Sequence, residues 1–190
     1  MPRVSFKNLR VGDQSPDFLD RLSVFVDYVA SQPAESGGIE FSLIFDNASS
    51  DDIELLNPYD LITYTLTDEA GWPVSLDAPA SRIVANSPSP FVSQKGEYLK
   101  VIEIVSGKSK REIDEEVKAE RTIIPHNSSY TYTLQIDKMM PHSEDGKSKD
   151  KTSLTKGKYG LTLTLPLISF VANKEYSRIL QSPDAEINRT

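Results

Sequence analysis

Two histidines, His126 and His142, each follow a proline in a predicted loop. Imidazole is the commonest neutral metal ligand, so two loops meeting at one end of a fold could offer part of a zinc site. Zinc takes three or four protein ligands with supporting partners behind them. The chain has no cysteine and no carboxylate at ligand spacing, and solvent-exposed loop residues account for both histidines better. Asp46, Asn47, Ser49, Asp51 and Asp52 crowd oxygen donors into one turn, the chemistry that a hard ion such as Ca²⁺ accepts. The glycine and distal glutamate of an EF-hand loop are missing there. A turn whose Asn and Asp side chains bond their own backbone explains the same residues. No metal or other cofactor is therefore expected.

Lys147, Lys149, Lys151, Lys156 and Lys158 form a basic string. Glu144, Asp145 and Asp150 interleave with it, and no aromatic residue stands among the first four lysines to stack on a base. A solvated loop is the better account. Tyr59, Tyr64, Trp72, Tyr130 and Tyr132 could stack sugar rings if they shared an exposed face, but their parity within strands points mostly to core. Asn47, Asn127 and Asn188 head glycosylation-type sequons, which matter only in a secreted chain. No G-x-S-x-G elbow, H-E-x-x-H, P-loop or G-x-G-x-x-G occurs, and no catalytic residue is assigned.

Strands and turns must position these groups. In Ile39 to Asp46 the apolar row Ile39, Phe41, Leu43 and Phe45 alternates with Glu40, Ser42, Ile44 and Asp46, which puts one apolar face on a strand. The same alternation places Ile62, Tyr64 and Leu66, then Tyr130, Tyr132, Leu134 and Ile136, then Tyr159, Leu161, Leu163 and Leu165, on inner faces. Further strands are expected over Leu22 to Ala30, Ile53 to Leu56, Tyr98 to Val105 and Glu175 to Gln181. Asn57-Pro58 reads as a break and Asp68 to Gly71 as a turn, with the strand resuming at Trp72. Pro166 implies a bulge or an edge.

The segment 108–120 satisfies two periods at once. Ile113 and Val117 stand at helical spacing, while Ile113, Val117, Ala119 and Ile123 share strand parity; a charged edge strand is expected for the second half. Residues 75–97 and 138–158 read as two long loops, residues 1–20 as an arm or edge strand, and 183–190 as a frayed tail.

The 190 residues fit a single domain, 1–190, and their hydrophobic content of 38% suits a folded chain with sizeable polar loops. Net charge is −7, with the acidic excess up to Lys95. Such a chain lacks the phosphate-neutralising footprint of nucleic-acid binding and is repelled by anionic lipid. No apolar run reaches the length of a signal peptide or membrane span. A cytoplasmic location is expected; a secreted or periplasmic one would require a signal removed ahead of Met1.

Three fragments resemble immunoglobulin-like modules and, among them, the bacterial intracellular proteinase inhibitor family. Phe41 to Val74 resembles a strand, an N-x-S turn, and a strand ending in D-x-x-G and tryptophan. Thr122 to Ile136 is similar to its strand, Pro-Gly-Glu-Ser, strand segment, and Leu154 to Leu165 to its Pro-Gly-x-Tyr approach to a late strand. Gly157 and Tyr159 also resemble the tyrosine corner of such sandwiches. The chain departs from the inhibitor pattern at His126-Asn127, at Lys156 and in the long interval from Ser75 to Arg121. No inhibitory loop carries over.

The expectation is an all-β, immunoglobulin-like antiparallel β-sandwich with two long loops, monomeric or weakly oligomeric. Its expected role is a non-catalytic module that binds a protein partner, in its most concrete form a proteinase inhibitor. A carbohydrate-binding module is the alternative, and a hydrolase or metal-dependent enzyme comes third.

Overall fold

The computed structural model describes residues 1–8, 20–76, 99–139, 152–171 and 174–190. Alternating side chains bury one face of a strand and leave the other in water, and strands of this kind dominate the chain. They run β1 (Arg3–Ser5), β2 (Lys7–Asn8), β3 (Leu22–Tyr28), β4 (Ser31–Gln32), β5 (Ile39–Asn47) and β6 (Ile53–Leu56). A single helical turn, α1 (Pro58–Leu61), precedes β7 (Thr63–Thr67), β8 (Pro73–Leu76), β9 (Leu99–Ser106) and β10 (Ser109–Lys110). The short helix α2 (Ile113–Lys118) leads to β11 (Arg121–Ile124), β12 (Ser128–Ile136), β13 (Lys138–Met139) and β14 (Thr152–Ser153). The chain closes with β15 (Gly157–Val171), β16 (Lys174–Gln181) and β17 (Ala185–Arg189).

Two antiparallel sheets pack face to face as an all-β sandwich. The first has the order β1-β3-β5-β12-β9-β10. At its centre β5 lies between β3 and β12, with Phe41 opposite Tyr28 and Leu134, Leu43 opposite Val26 and Tyr132, and Phe45 opposite Val24 and Tyr130. All these side chains are buried. The second sheet is built on β15, whose first half pairs with β7 and β17 and whose second half pairs with β16 and β6. The expected inner rows of β5, β7, β12 and β15 are all buried, and they form one continuous core with Ile53, Leu55, Ala185 and Ile187. Each fully buried Phe or Leu contributes about 1.5–3 kcal/mol.

Pro166 stands opposite Ile179 of β16. On its other flank β7 has ended at Thr164 and β6 begins at Ser169, because α1 carries the chain away between those two strands. The proline sits where that flank has no ladder to interrupt, which resolves its place inside a strand.

Several expectations are corrected. The break expected at Asn57-Pro58 is present, β6 ending at Leu56, but it is filled by a helix start: Pro58 occupies the first turn, and the Asn57 side chain accepts from the Tyr59 N–H at 3.1 Å. The second half of 108–120 is helical, not an edge strand, so Ile113 and Val117 use their helical spacing to pack half-buried on the core. The tail does not fray. Strand β17 pairs antiparallel with β15 and parallel with β4, burying Ala185, Ile187 and Arg189. The Arg189 guanidinium gives Nη2 to the Ala34 carbonyl at 2.7 Å, while its buried Nε and Nη1 have no hydrogen-bond partner among the described residues.

Of the two long loops, Ser75 and Leu76 already belong to β8, and the rest of the first falls outside the described residues. In the second, β13 and β14 pair, Leu154 is buried and Gly157 opens β15, while 140–151 lie outside the described residues. The N-terminal segment supplies edge strands to both sheets, β1 against β3 and β2 against β16.

Candidate functional site

The sequence-marked groups mostly have structural work. Asn47 is buried at the end of β5, where its Oδ1 accepts from the Ser49 N–H at 2.9 Å and hydroxyl at 2.6 Å. Its Nδ2 donates to the carbonyls of Asp51, Ile124 and Pro125 at 2.9, 3.1 and 3.2 Å. The turn is thus tied to its own backbone and to the end of β11. A side-chain amide so committed, and almost fully buried, also gives its sequon no accessible nitrogen. Asn127 and Asn188, by contrast, are exposed.

His126 lies exposed beside the same turn. Its backbone N–H donates to Asp52 Oδ1 at 2.8 Å, and its Nδ1 lies 2.7 Å from the same oxygen. The backbone N–H, and then the ring, hold the Asp52 carboxyl below the usual carboxylate range. His142 falls outside the described residues, and no group of three potential metal ligands occurs among those described.

An open groove of about 650 Å³ runs beside the turn from Asp68 to Gly71 and is lined by Asp68, Glu69, Asp184 and Glu186, with Lys158. Here too three of the four carboxylates have partners. Asp68 Oδ1 accepts from the Ala70 and Trp72 N–H groups at 3.0 and 2.9 Å, Asp184 accepts from the Thr162 hydroxyl, and Glu69 faces Lys158 at 3.7 Å. Gly71, at φ +82°, gives that turn its left-handed corner. No histidine is among the described residues that line the groove.

Among the aromatic candidates, Tyr59, Tyr64, Tyr130 and Tyr132 are buried as expected, whereas Trp72 is 71% exposed. The tryptophan follows the Asp68 turn immediately and precedes the first paired residue of β8, so strand parity does not govern it. The Tyr159 phenol donates to the Thr155 carbonyl, four residues upstream, at 2.9 Å.

Helix α2 introduces a site that the sequence reading missed. It follows the β9–β10 edge of the first sheet, packs on β9 and delivers the chain to β11 in the second sheet. None of its residues is fully buried, and polar bonds from the sandwich hold it in place. Asn57 Nδ2 donates to the carbonyls of Glu116 and Ala119 at 2.9 and 2.8 Å, and the Asn57 N–H donates to Glu120 O at 3.0 Å. The Tyr130 phenol donates to Glu116 Oε2 at 2.7 Å. The Tyr132 phenol oxygen lies 3.0 Å from Thr122 Oγ1 and 3.4 Å from Asn57 Oδ1. Burial is the first cause that pushes both phenols well above the ordinary tyrosine range, so they remain neutral donors.

The bond from Asn57 to Glu120 also fixes which backbone groups of β11 are open. Bonded and non-bonded pairs alternate along an antiparallel ladder. Glu120 and Asn57 form a bonded pair one step before Arg121 opposite Leu56, so Thr122 and Ile124 bond to β6. Arg121 and Ile123 therefore turn their N–H and C=O groups away from it. Strand β6 is the only partner of β11 among the described residues. The side chains alternate as well: Thr122 and Ile124 are buried, and Ile123 is 55% exposed. Beside it the Arg121 guanidinium lies 3.1 Å from Glu54 and 4.3 Å over the Phe170 ring. The edge thus combines open backbone groups with an outward apolar surface.

In comparisons with known proteins, no family model, no curated protein and no solved structure matches the chain.

Proposed function

We propose that the protein is a non-catalytic interaction module that takes up an extended segment of a partner protein along the open edge of β11. The open N–H and C=O groups of Arg121 and Ile123, with the Ile123 side chain facing water beside them, carry this reading. An added strand would gain main-chain hydrogen bonds from those groups and cover Ile123. Proteinase inhibition is one concrete form of such a role, through the resemblance of Phe41 to Val74 and Thr122 to Ile136 to that inhibitor family. An immunoglobulin-like assignment rests on the same fragments and on the Tyr159 bond.

The carbohydrate alternative has a single exposed ring, Trp72, in its favour, since four of its five candidate aromatics are buried. Flat stacking of successive sugar rings needs more than one such platform. Affinity capture with the wild-type chain and with Ile123→Pro tests the proposal, alongside a glycan array. The expected result is a protein retained by the wild type and lost with the variant, with no glycan signal. Glycan binding without edge-dependent protein capture would overturn it.

A further inference from the structure

We infer that the segment accepted by β11 is an extended strand carrying lysine or arginine on both sides of an apolar residue that packs against Ile123. The inference rests on the reading of β11 as a recognition edge and adds the chemistry of its occupant. In the helix that leads into that edge, and in the turn beyond its far end, the exposed acids without an ion pair outnumber the bases. Glu112, Asp114, Glu115 and Glu120, in and beside α2, are exposed and make no ion pair among the described residues, as is true of Asp51 at the far end of the strand. The nearby arginines are committed: Arg121 to Glu54 and Phe170, and Arg111 to Glu116 at 3.8 Å. Lys118 alone stands against those acids within the helix.

The acidic field favours cationic partners and speeds their encounter, while the apolar contact and backbone bonds provide the dock. A second copy of this chain meets the opposite condition. It brings the same unpaired acids and another net charge of −7, so pairing of two β11 edges is opposed by like charge. A cationic segment of another protein is the occupant that fits.

Two short peptides of alternating threonine and valine, one flanked by lysines and one by glutamates, test this against the intact chain. Amide exchange at Arg121 and Ile123 is the readout, at low and high salt. The lysine peptide is expected to slow exchange at those two amides, to bind about tenfold more tightly than the glutamate peptide, and to lose that advantage in high salt. A variant with Glu112→Gln, Glu115→Gln and Glu120→Gln should narrow the preference while the protein stays folded. Equal binding of both peptides at β11 would overturn the charge inference and leave the edge reading standing. Failure of both peptides to slow exchange at Arg121 and Ile123 would overturn the edge reading too. Protection that rises with protein concentration alone would identify a second copy as the occupant and overturn the inference.

Discussion

The two edges that α2 joins are treated in opposite ways. Strand β10, which ends the first sheet, is two residues long, both exposed, and flanked by Lys108 and Arg111, with Lys110 paired to Glu103. A short, lysine-bearing edge of this kind is a poor template for further pairing. Strand β11, which ends the second sheet, is twice as long, has no proline, and presents Ile123 to water. Its arginine is turned aside onto Phe170 and Glu54. One edge is closed by its charges and the other, among the described residues, has a neighbour on one side only, which is the difference on which the proposed role of β11 rests.

Proline placed at successive positions of β11 should break the comparison most severely. Thr122→Pro removes an N–H that bonds to β6, together with the hydroxyl beside Tyr132, and is expected to cost about 3 kcal/mol or more in urea unfolding. Ile123→Pro removes an N–H that points outward, so it should leave most of that stability intact while abolishing partner binding. Equal losses at the two positions would place the ladder bonds in the other register.

Next in size is the joint between the edges. Asn57→Ala leaves the Glu116 and Ala119 carbonyls and the Tyr59 N–H without their side-chain partner. A loss of about 2 kcal/mol is expected, measurable as a lower urea midpoint with an unchanged slope. The same joint predicts an alkaline limb of the stability curve. Tyr130 and Tyr132 have folded values raised above the ordinary tyrosine range near 10, so the folded protein retains protons that the unfolded chain gives up. Their contribution is complete below about pH 10 and declines as pH rises beyond it. Tyr132→Phe should flatten that decline in a series of unfolding curves from pH 8 to 11, values chosen to bracket about one unit or more either side of the free phenol.

The smallest effect concerns the closed edge. Lys110→Val on β10 should leave stability nearly unchanged in urea unfolding, because the side chain is exposed and its ion pair is solvated. It should nonetheless introduce concentration-dependent self-association, detectable by sedimentation. A variant that stays monomeric at high concentration would mean that lysine is not what closes β10.

The inner rows of the sandwich were legible because a buried strand face is a local, period-two pattern, and Ile39 to Phe45 or Tyr159 to Leu165 can serve no other geometry as well. The Asn47 turn was legible for the same reason, since its bonds to Ser49 and Asp51 span only a few residues. Helix α2 was not, because Ile113 and Val117 satisfy both periods and part of what holds the helix comes from Asn57, 59 residues from Glu116. Strand β17 was hidden by its brevity and by an arginine in its inward row. Trp72 has the composition of a strand residue but the position of a turn residue. The open edge was least legible of all: a sequence can mark Arg121 to Ile124 as a strand, but which side of a strand lacks a neighbour depends on the order of the whole sheet.

Native-state hydrogen exchange of the free protein at low concentration tests that edge most directly. The account predicts alternation along β11, with slow exchange at the Thr122 and Ile124 amides and fast exchange at Arg121 and Ile123. Uniform protection of all four amides would mean that the edge is already paired, and would contradict it.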